Sequence, residues 1–144
     1  MFNNILVAFD GSSHSTQSAR FAAEIHKAVP GVKITVITVL TFTRDEAGFL
    51  GLSGGEYEKA EKSIEEKYFG EIKNYFDASG VPLTTVVREG DPAKEIVRFA
   101  EENGIDHIVI GRRGLGNIRG ALLGSVSAKV IHSARCPVTV VKDK

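Results

Sequence analysis

A segment near the carboxyl end of the chain carries the residue types that grip a phosphate. It reads Gly111-Arg112-Arg113-Gly114, then nine residues, then Gly124-Ser125, with further glycines at Gly116 and Gly120. Glycine lets the main chain approach a ligand closely and turn through positive φ. Gly124-Ser125-Val126-Ser127 opens a helix, and the first N–H groups of a helix lack partners within it and carry partial positive charge. Together these features make an anion site, with phosphate as its natural guest. The Ser125 and Ser127 hydroxyls add donors, while Arg112, Arg113 and Arg119 either add charge or point into water. The plainer alternative is a long connection capped by an ordinary serine, but five glycines in fourteen residues exceed what that needs. Asp10 is a second candidate. Its carboxylate can accept two hydrogen bonds from the vicinal hydroxyls of a ribose. The alternative reading is a turn-forming or helix-capping aspartate before Gly11.

Other nucleotide and catalytic signatures fail. A P-loop needs a lysine before its final Ser or Thr, and Gly120-Ala121-Leu122-Leu123-Gly124-Ser125 has neither the lysine nor the spacing. The dinucleotide fingerprint G-x-G-x-x-G breaks after Gly114 and Gly116, because position 119 is arginine, and it would follow the wrong strand. His14, His26, His107 and His132 are far apart, and none pairs with another at metal-ligand spacing. No G-x-S-x-G elbow and no reactive-cysteine pattern is present. No residue announces itself as the one that would align a water for attack on a bound phosphate.

The elements that must position these residues alternate strand and helix. Ile5 to Phe9 is an unbroken apolar run, as expected of a strand buried on both faces. A helix from about Ser15 places Ser18, Phe21, Ala22, Ile25 and Val29 on one face and stops at Pro30-Gly31. Lys33 to Leu40 is a second strand, and Thr41 to Gly55 is irregular. A charged helix from about Glu56 to Ala78 has the apolar stripe Tyr57, Ala60, Ile64, Tyr68, Ile72 and Phe76. Val81 to Val87 is a third strand. Asp91-Pro92 starts a helix whose inner positions are Ala93, Ile96, Val97 and Ala100. Asp106 to Ile110 is a fourth strand, Ser125 caps a fourth helix, and Pro137 to Val141 is a fifth strand. Parallel neighbours need helical crossovers that pack back right-handed. The expected fold is therefore one α/β domain over residues 1–144. It is an open, twisted, parallel five-stranded sheet of Rossmann-like or flavodoxin-like kind, order 3-2-1-4-5, with helices on both faces. A ligand crevice in such a sheet lies at the carboxyl ends of the strands where the order reverses. Both unusual segments, after the first and fourth strands, converge there.

Composition narrows the partners. The 144 residues suffice for one domain with a real core. Lys plus Arg and Asp plus Glu are 18 each, so no basic surplus exists for a nucleic-acid backbone, and there is no Trp for base stacking. No apolar stretch approaches the ~20 residues that span a bilayer. The start lacks a basic signal-peptide region, and Cys136 has no partner for an internal disulfide and reads as a small buried hydrophobe. The expectation is a cytoplasmic chain with no nucleic-acid or membrane partner.

At these residues the sequence resembles the universal stress protein family, in its ATP-binding branch. That branch carries G-x2-G-x9-G-[ST] before the last helix, which Gly111, Gly114, Gly124 and Ser125 match. Ile5 to Ser12, Gly90-Asp91-Pro92 and Cys136 to Val141 are also similar to family patterns, so the likeness spans the chain. The resemblance implies ATP held between the first and fourth strands. Adenine would lie near Ala8 and the backbone of Val39, and ribose against Asp10 and Gly111 beside Ile110. The phosphates would rest on Gly114, Gly124, Ser125, Val126 and Ser127, with Mg²⁺ bridging them. It implies a homodimer through the last strand, where Val138 and Val140 leave an apolar edge. Thr38 stands where many members have histidine, with little consequence expected for ATP. Three roles follow: a nucleotide-dependent stress-response regulator acting on an unidentified protein partner, a weak ATPase or nucleotidyl-transfer enzyme, or a nucleotide-free structural dimer.

Overall fold

The computed structural model describes residues 2–41, 54–113 and 123–142. Its strands are β1 (Asn4–Ala8), β2 (Lys33–Leu40), β3 (Thr84–Glu89), β4 (His107–Gly111) and β5 (Val138–Val141). They pair in parallel in the order β3-β2-β1-β4-β5. Four helices connect them: α1 (Ser13–Ala28), α2 (Gly54–Ser79), α3 (Pro92–Glu102) and α4 (Ser125–Ser133). The order is the expected one, with the switch point between β1 and β4.

Strand alternation divides the core in two. Ile5, Val7 and Phe9 face α1 and α2, packing with Val36, Val109, Ala19, Ala22, Phe69, Ile72 and Phe76. Leu6 and Ala8 face α3 and α4, packing with Ile37, Ile108, Ile110, Ile96, Phe99 and Val130. Both faces of β1 and β4 are thus covered, which is why each is apolar through its middle, Ile5 to Ala8 and Ile108 to Ile110.

Several boundaries and faces depart from expectation. In α1, Phe21 is 40% and Val29 45% exposed, while Ser15, Ser18, Ala19, Ala22 and Ala23 are buried. Ser18 and Ala22 thus lie inward as expected and Ile25 packs, half-buried, against the core, whereas Phe21 and Val29 are turned outward. Val81 is buried outside β3: its N–H bonds the Phe76 carbonyl at 3.0 Å, closing α2 over the left-handed Gly80 (φ 70°). In α2, Ile72 and Phe76 are buried as expected and are joined by Phe69. The side chains of Tyr57, Ala60, Ile64 and Tyr68 lie outside the described residues. Asp91 caps α3 as expected, accepting from the Lys94 N–H at 3.0 Å.

The two sheet edges differ. Pro82 precedes β3, which ends in exposed Arg88 and Glu89, and the Arg88 guanidinium donates to the Val87 carbonyl at 3.2 Å. Every residue of β5 is half-buried and three of its four are valine.

His107 opens β4 with its ring 6% exposed. Nε2 lies 2.6 Å from Thr139 Oγ1 across to β5, and the ring lies 4.7 Å from that of Phe2. Burial pushes its pKa below the ordinary 6.5, opposed by the nearby Asp106 carboxylate. The folded state therefore favours the neutral ring. This contribution is complete above the unfolded pKa near 6.5 and is lost as pH falls through 6.5 towards the lower folded value. Melting temperature should fall on acidification below about pH 6.5, and the fall should be shallower in His107→Gln. Equal slopes in the two proteins would exclude the ring as a source.

Candidate functional site

The chain leaves β1 into α1 on one face and leaves β4 into α4 on the other, so the two loops part above the carboxyl ends of neighbouring strands. This is the geometry in which a parallel sheet opens a crevice.

On the β1 side, Phe9 is held through both its N–H and its carbonyl. Its N–H bonds the Ile37 carbonyl at 2.9 Å, and its carbonyl accepts the Thr38 hydroxyl at 2.8 Å. Asp10 follows, half-buried, with Oδ1 accepting the Ser12 N–H at 2.9 Å across Gly11 (φ 86°). The turn-forming role of Asp10 is thus realised by one carboxylate oxygen. Ser12 then caps α1, accepting from the Ser15 N–H at 3.3 Å.

Ala8, Val39 and Ile110 come together on one face. Ala8 is 8% and Ile110 5% exposed, and half-buried Val39 packs on the same cluster. Gly111 turns the other way. A Cβ there would lie 2.6 Å from His14 Cβ and 2.9 Å from the His14 carbonyl carbon. The glycine is therefore required by the first turn of α1 packing on the end of β4. His14, whose plain sequence reading is a surface or capping residue near the crevice, is instead packed here: its Nδ1 is buried without a hydrogen-bond partner among the described residues, as is Arg112 Nε. A glycine ending a buried strand was the available signal, since it implies close approach from a neighbouring element.

On the β4 side, Arg112 is a node. Its N–H bonds the Val141 carbonyl at 2.9 Å, and its carbonyl accepts the Gly124 N–H at 2.7 Å and the Ser127 hydroxyl at 2.9 Å. The two ends of the glycine-rich loop are thereby tied together. Gly124 allows this approach, because a Cβ there would lie 3.3 Å from Arg113 Cα and 3.4 Å from the Arg112 carbonyl oxygen. Valine at 124 would strike that backbone, which makes it a poor probe of ligand binding. Gly114, Gly116, Arg119 and Gly120 lie outside the described residues, as does most of the segment from Thr41 to Gly55.

Gly124, not Ser125, is the N-cap of α4, with extended angles (φ −71°, ψ 165°) and no side-chain capping bond. The first helical bond runs from Ala128 N–H to the Gly124 carbonyl at 3.0 Å. The N–H groups of Ser125, Val126 and Ser127 lie ahead of it. Ser125 is exposed, Val126 half-buried and Ser127 3% exposed. The Ser127 hydroxyl, between the Arg112 carbonyl and that of Gly124 at 3.1 Å, directs its proton to a carbonyl. What this helix start offers an anion is therefore mainly main chain, where α1 and α3 offer side-chain caps instead. With these main-chain donors ahead of the helical ladder, the residues suit a polyanionic guest. No group of three His, Cys, Asp or Glu among the described residues could hold a metal ion.

A parallel sheet wound on both faces, with its loops meeting at one switch point, defines an α/β domain of the ligand-crevice class. More specifically, the chain belongs to the universal stress protein family, whose model matches residues 1–142. It is 34% identical over 146 residues to Universal stress protein MJ0531 of Methanocaldococcus jannaschii, covering 99% of this chain and 83% of that one. Among solved structures, MJ0577 of the same organism superposes with TM-score 0.84 at 27% identity, covering 100% of this chain and 98% of that one. A universal stress protein in complex with cAMP is 25% identical, with TM-score 0.66 over 96% of this chain and 95% of that one. No helix among the described residues is long and apolar enough to cross a membrane.

Proposed function

We propose that this protein is an ATP-binding regulator of stress responses, a single nucleotide-binding domain working in the cytoplasm. The observation that carries the reading is the meeting, at the β1–β4 switch point, of the Asp10 turn with a helix start whose leading N–H groups have no side-chain cap. Adenine lies against Ala8, Ile110 and the backbone of Val39. Ribose is held by Asp10 beside Gly111. The phosphates rest on the N–H groups of Ser125, Val126 and Ser127, with Gly114 and Gly124 giving main-chain access and Mg²⁺ carried on the phosphate oxygens. The cAMP-bound relative supports an adenine nucleotide as the guest of this fold. A homodimer through β5 is supported by its half-buried Val138 and Val140 at the sheet edge. Nucleotide occupancy acts on a protein partner through the loops that border the crevice.

Two measurements test the nucleotide. Small molecules released from the purified, denatured protein are identified by mass spectrometry, and melting is followed against ATP, ADP and AMP. ATP at ~100 times its Kd should add about 2.7 kcal/mol of stability, roughly 9 °C for a chain of this size. No released adenine nucleotide and a melting temperature unmoved by all three at millimolar concentration would overturn the reading.

A further inference from the structure

Thr38 is a buried hydroxyl at 3% exposure in the middle of the sheet, between Ile37 and Val39. Its Oγ1 does not serve its own strand. It crosses to the neighbouring one and donates to the Phe9 carbonyl at 2.8 Å. The backbone ladder between β1 and β2 ends at the pair Ala8 and Ile37, and Phe9 is the first residue past it. With the Phe9 N–H on the Ile37 carbonyl, the hydroxyl completes a clamp on both sides of Phe9. The clamped carbonyl belongs to the peptide that joins Phe9 to Asp10, so the plane of that peptide is set by Thr38. The Asp10 carboxylate, itself tied back to the Ser12 N–H, takes its direction from this plane.

We infer that Thr38 is a positioning residue for sugar recognition: through the Phe9 carbonyl it aims Asp10 at the vicinal hydroxyls of a ribonucleotide and makes the site reject 2′-deoxyribonucleotides. The inference rests on the ribose role given to Asp10 above. Its physical basis is that a site built to hydrogen-bond a hydroxyl rejects a ligand lacking it, provided the acceptor is held in place. Valine replaces threonine with almost the same shape and removes only the clamp, leaving the Phe9 carbonyl without the hydroxyl. The phosphate and adenine contacts are untouched, so selectivity changes more than ATP affinity.

The test compares ATP with 2′-deoxy-ATP by calorimetric titration in the wild type and in Thr38→Val, Thr38→Ala, Thr38→Ser and Asp10→Asn, each checked by circular dichroism and melting. The wild type should prefer ATP by about tenfold or more, the value of one hydrogen bond to a charged group. In Thr38→Val and Thr38→Ala the preference should fall to about twofold or less, with ATP affinity changed by less than about fivefold. Thr38→Ser, which keeps the hydroxyl, should restore most of the preference, whereas a merely structural defect would lower both affinities together. Thr38→Ala keeps the test alive should the β-branched variant misfold, and loss of folding in both would overturn the inference by making Thr38 a plain stability residue. A tenfold preference retained in a folded Thr38→Val, but lost in Asp10→Asn, would overturn the role of Thr38 and leave the ribose contact standing. A wild type that binds both nucleotides equally would overturn the ribose contact and this inference together, and one that binds neither would overturn the nucleotide reading itself.

Discussion

Ser125→Pro is expected to leave the protein folded and to weaken ATP binding about 10- to 100-fold. Proline is tolerated in the first turn of a helix because the N–H it removes has no helical partner there. Ser125 is the first residue of α4, ahead of the Ala128 N–H bond that begins the helical ladder, and its side chain is exposed. Gly124 before it is already extended at ψ 165°, the conformation that a following proline demands. The substitution thus deletes one main-chain donor and little else. A hydrogen bond to a charged group is worth about 1.5–3 kcal/mol, which gives the stated loss. Ser125→Ala, which keeps the N–H and drops the hydroxyl, should cost only a few-fold. Titration calorimetry on both variants, with melting temperatures as the control, measures the contrast. Wild-type affinity in the proline variant, or abolished binding in the alanine variant, would show that side chains and not main-chain amides hold the phosphates.

Gly111→Ala is expected to cost about 3 kcal/mol of stability, or roughly 10 °C in melting temperature. The added Cβ meets backbone, at 2.9 Å from the His14 carbonyl carbon and 3.1 Å from its oxygen. Nor can His14 easily yield. Its carbonyl accepts the Ser18 hydroxyl at 2.9 Å, and its helix is capped by Ser12 just ahead of it. His14→Gly removes the 2.6 Å contact with the His14 Cβ but leaves the main-chain conflict, so the double variant should regain only part of the loss. Denaturant unfolding would measure this. A Gly111→Ala protein as stable as the wild type would mean that α1 shifts off β4 at no cost, against the close packing seen here.

Which parts of this molecule could be read from sequence follows from which interactions have a residue-type signature. The apolar stretches of β1 and β4, the Val, Ile and Thr content of β2, the Asp91-Pro92 start of α3 and the strand order did, because burial on both faces, the pleated strand and helix capping each demand particular residues. The buried face of α1 did in part: Ser18 and Ala22 lie inside as their spacing implies and Ile25 packs on the core, whereas Phe21 and Val29, favoured by the same periodicity, are turned outward. The switch-point candidates were legible as glycines and an aspartate at strand ends. The position of His14 near the crevice was legible too, but its packing on Gly111 was not, since that depends on how a helix lies across a sheet. The Arg112 node was equally hidden: it consists of a carbonyl and an N–H, which every residue owns. The cap of α4 fell one residue earlier than expected because Gly124, tied to Arg112, is the last residue held extended.

The unequal borders of the sheet would also limit how far the proposed strand-to-strand assembly could grow. A copy of the chain that joins strand to strand finds valines on one flank and, on the other, a proline, an arginine folded onto its own backbone and a glutamate. If two copies met valine flank to valine flank, as the proposed dimer requires, they would cover the sheet edge that, among the described residues, is left open to pairing. Growth by this route would stop at a pair, whereas the same fold with two bare flanks would be free to polymerise into fibres.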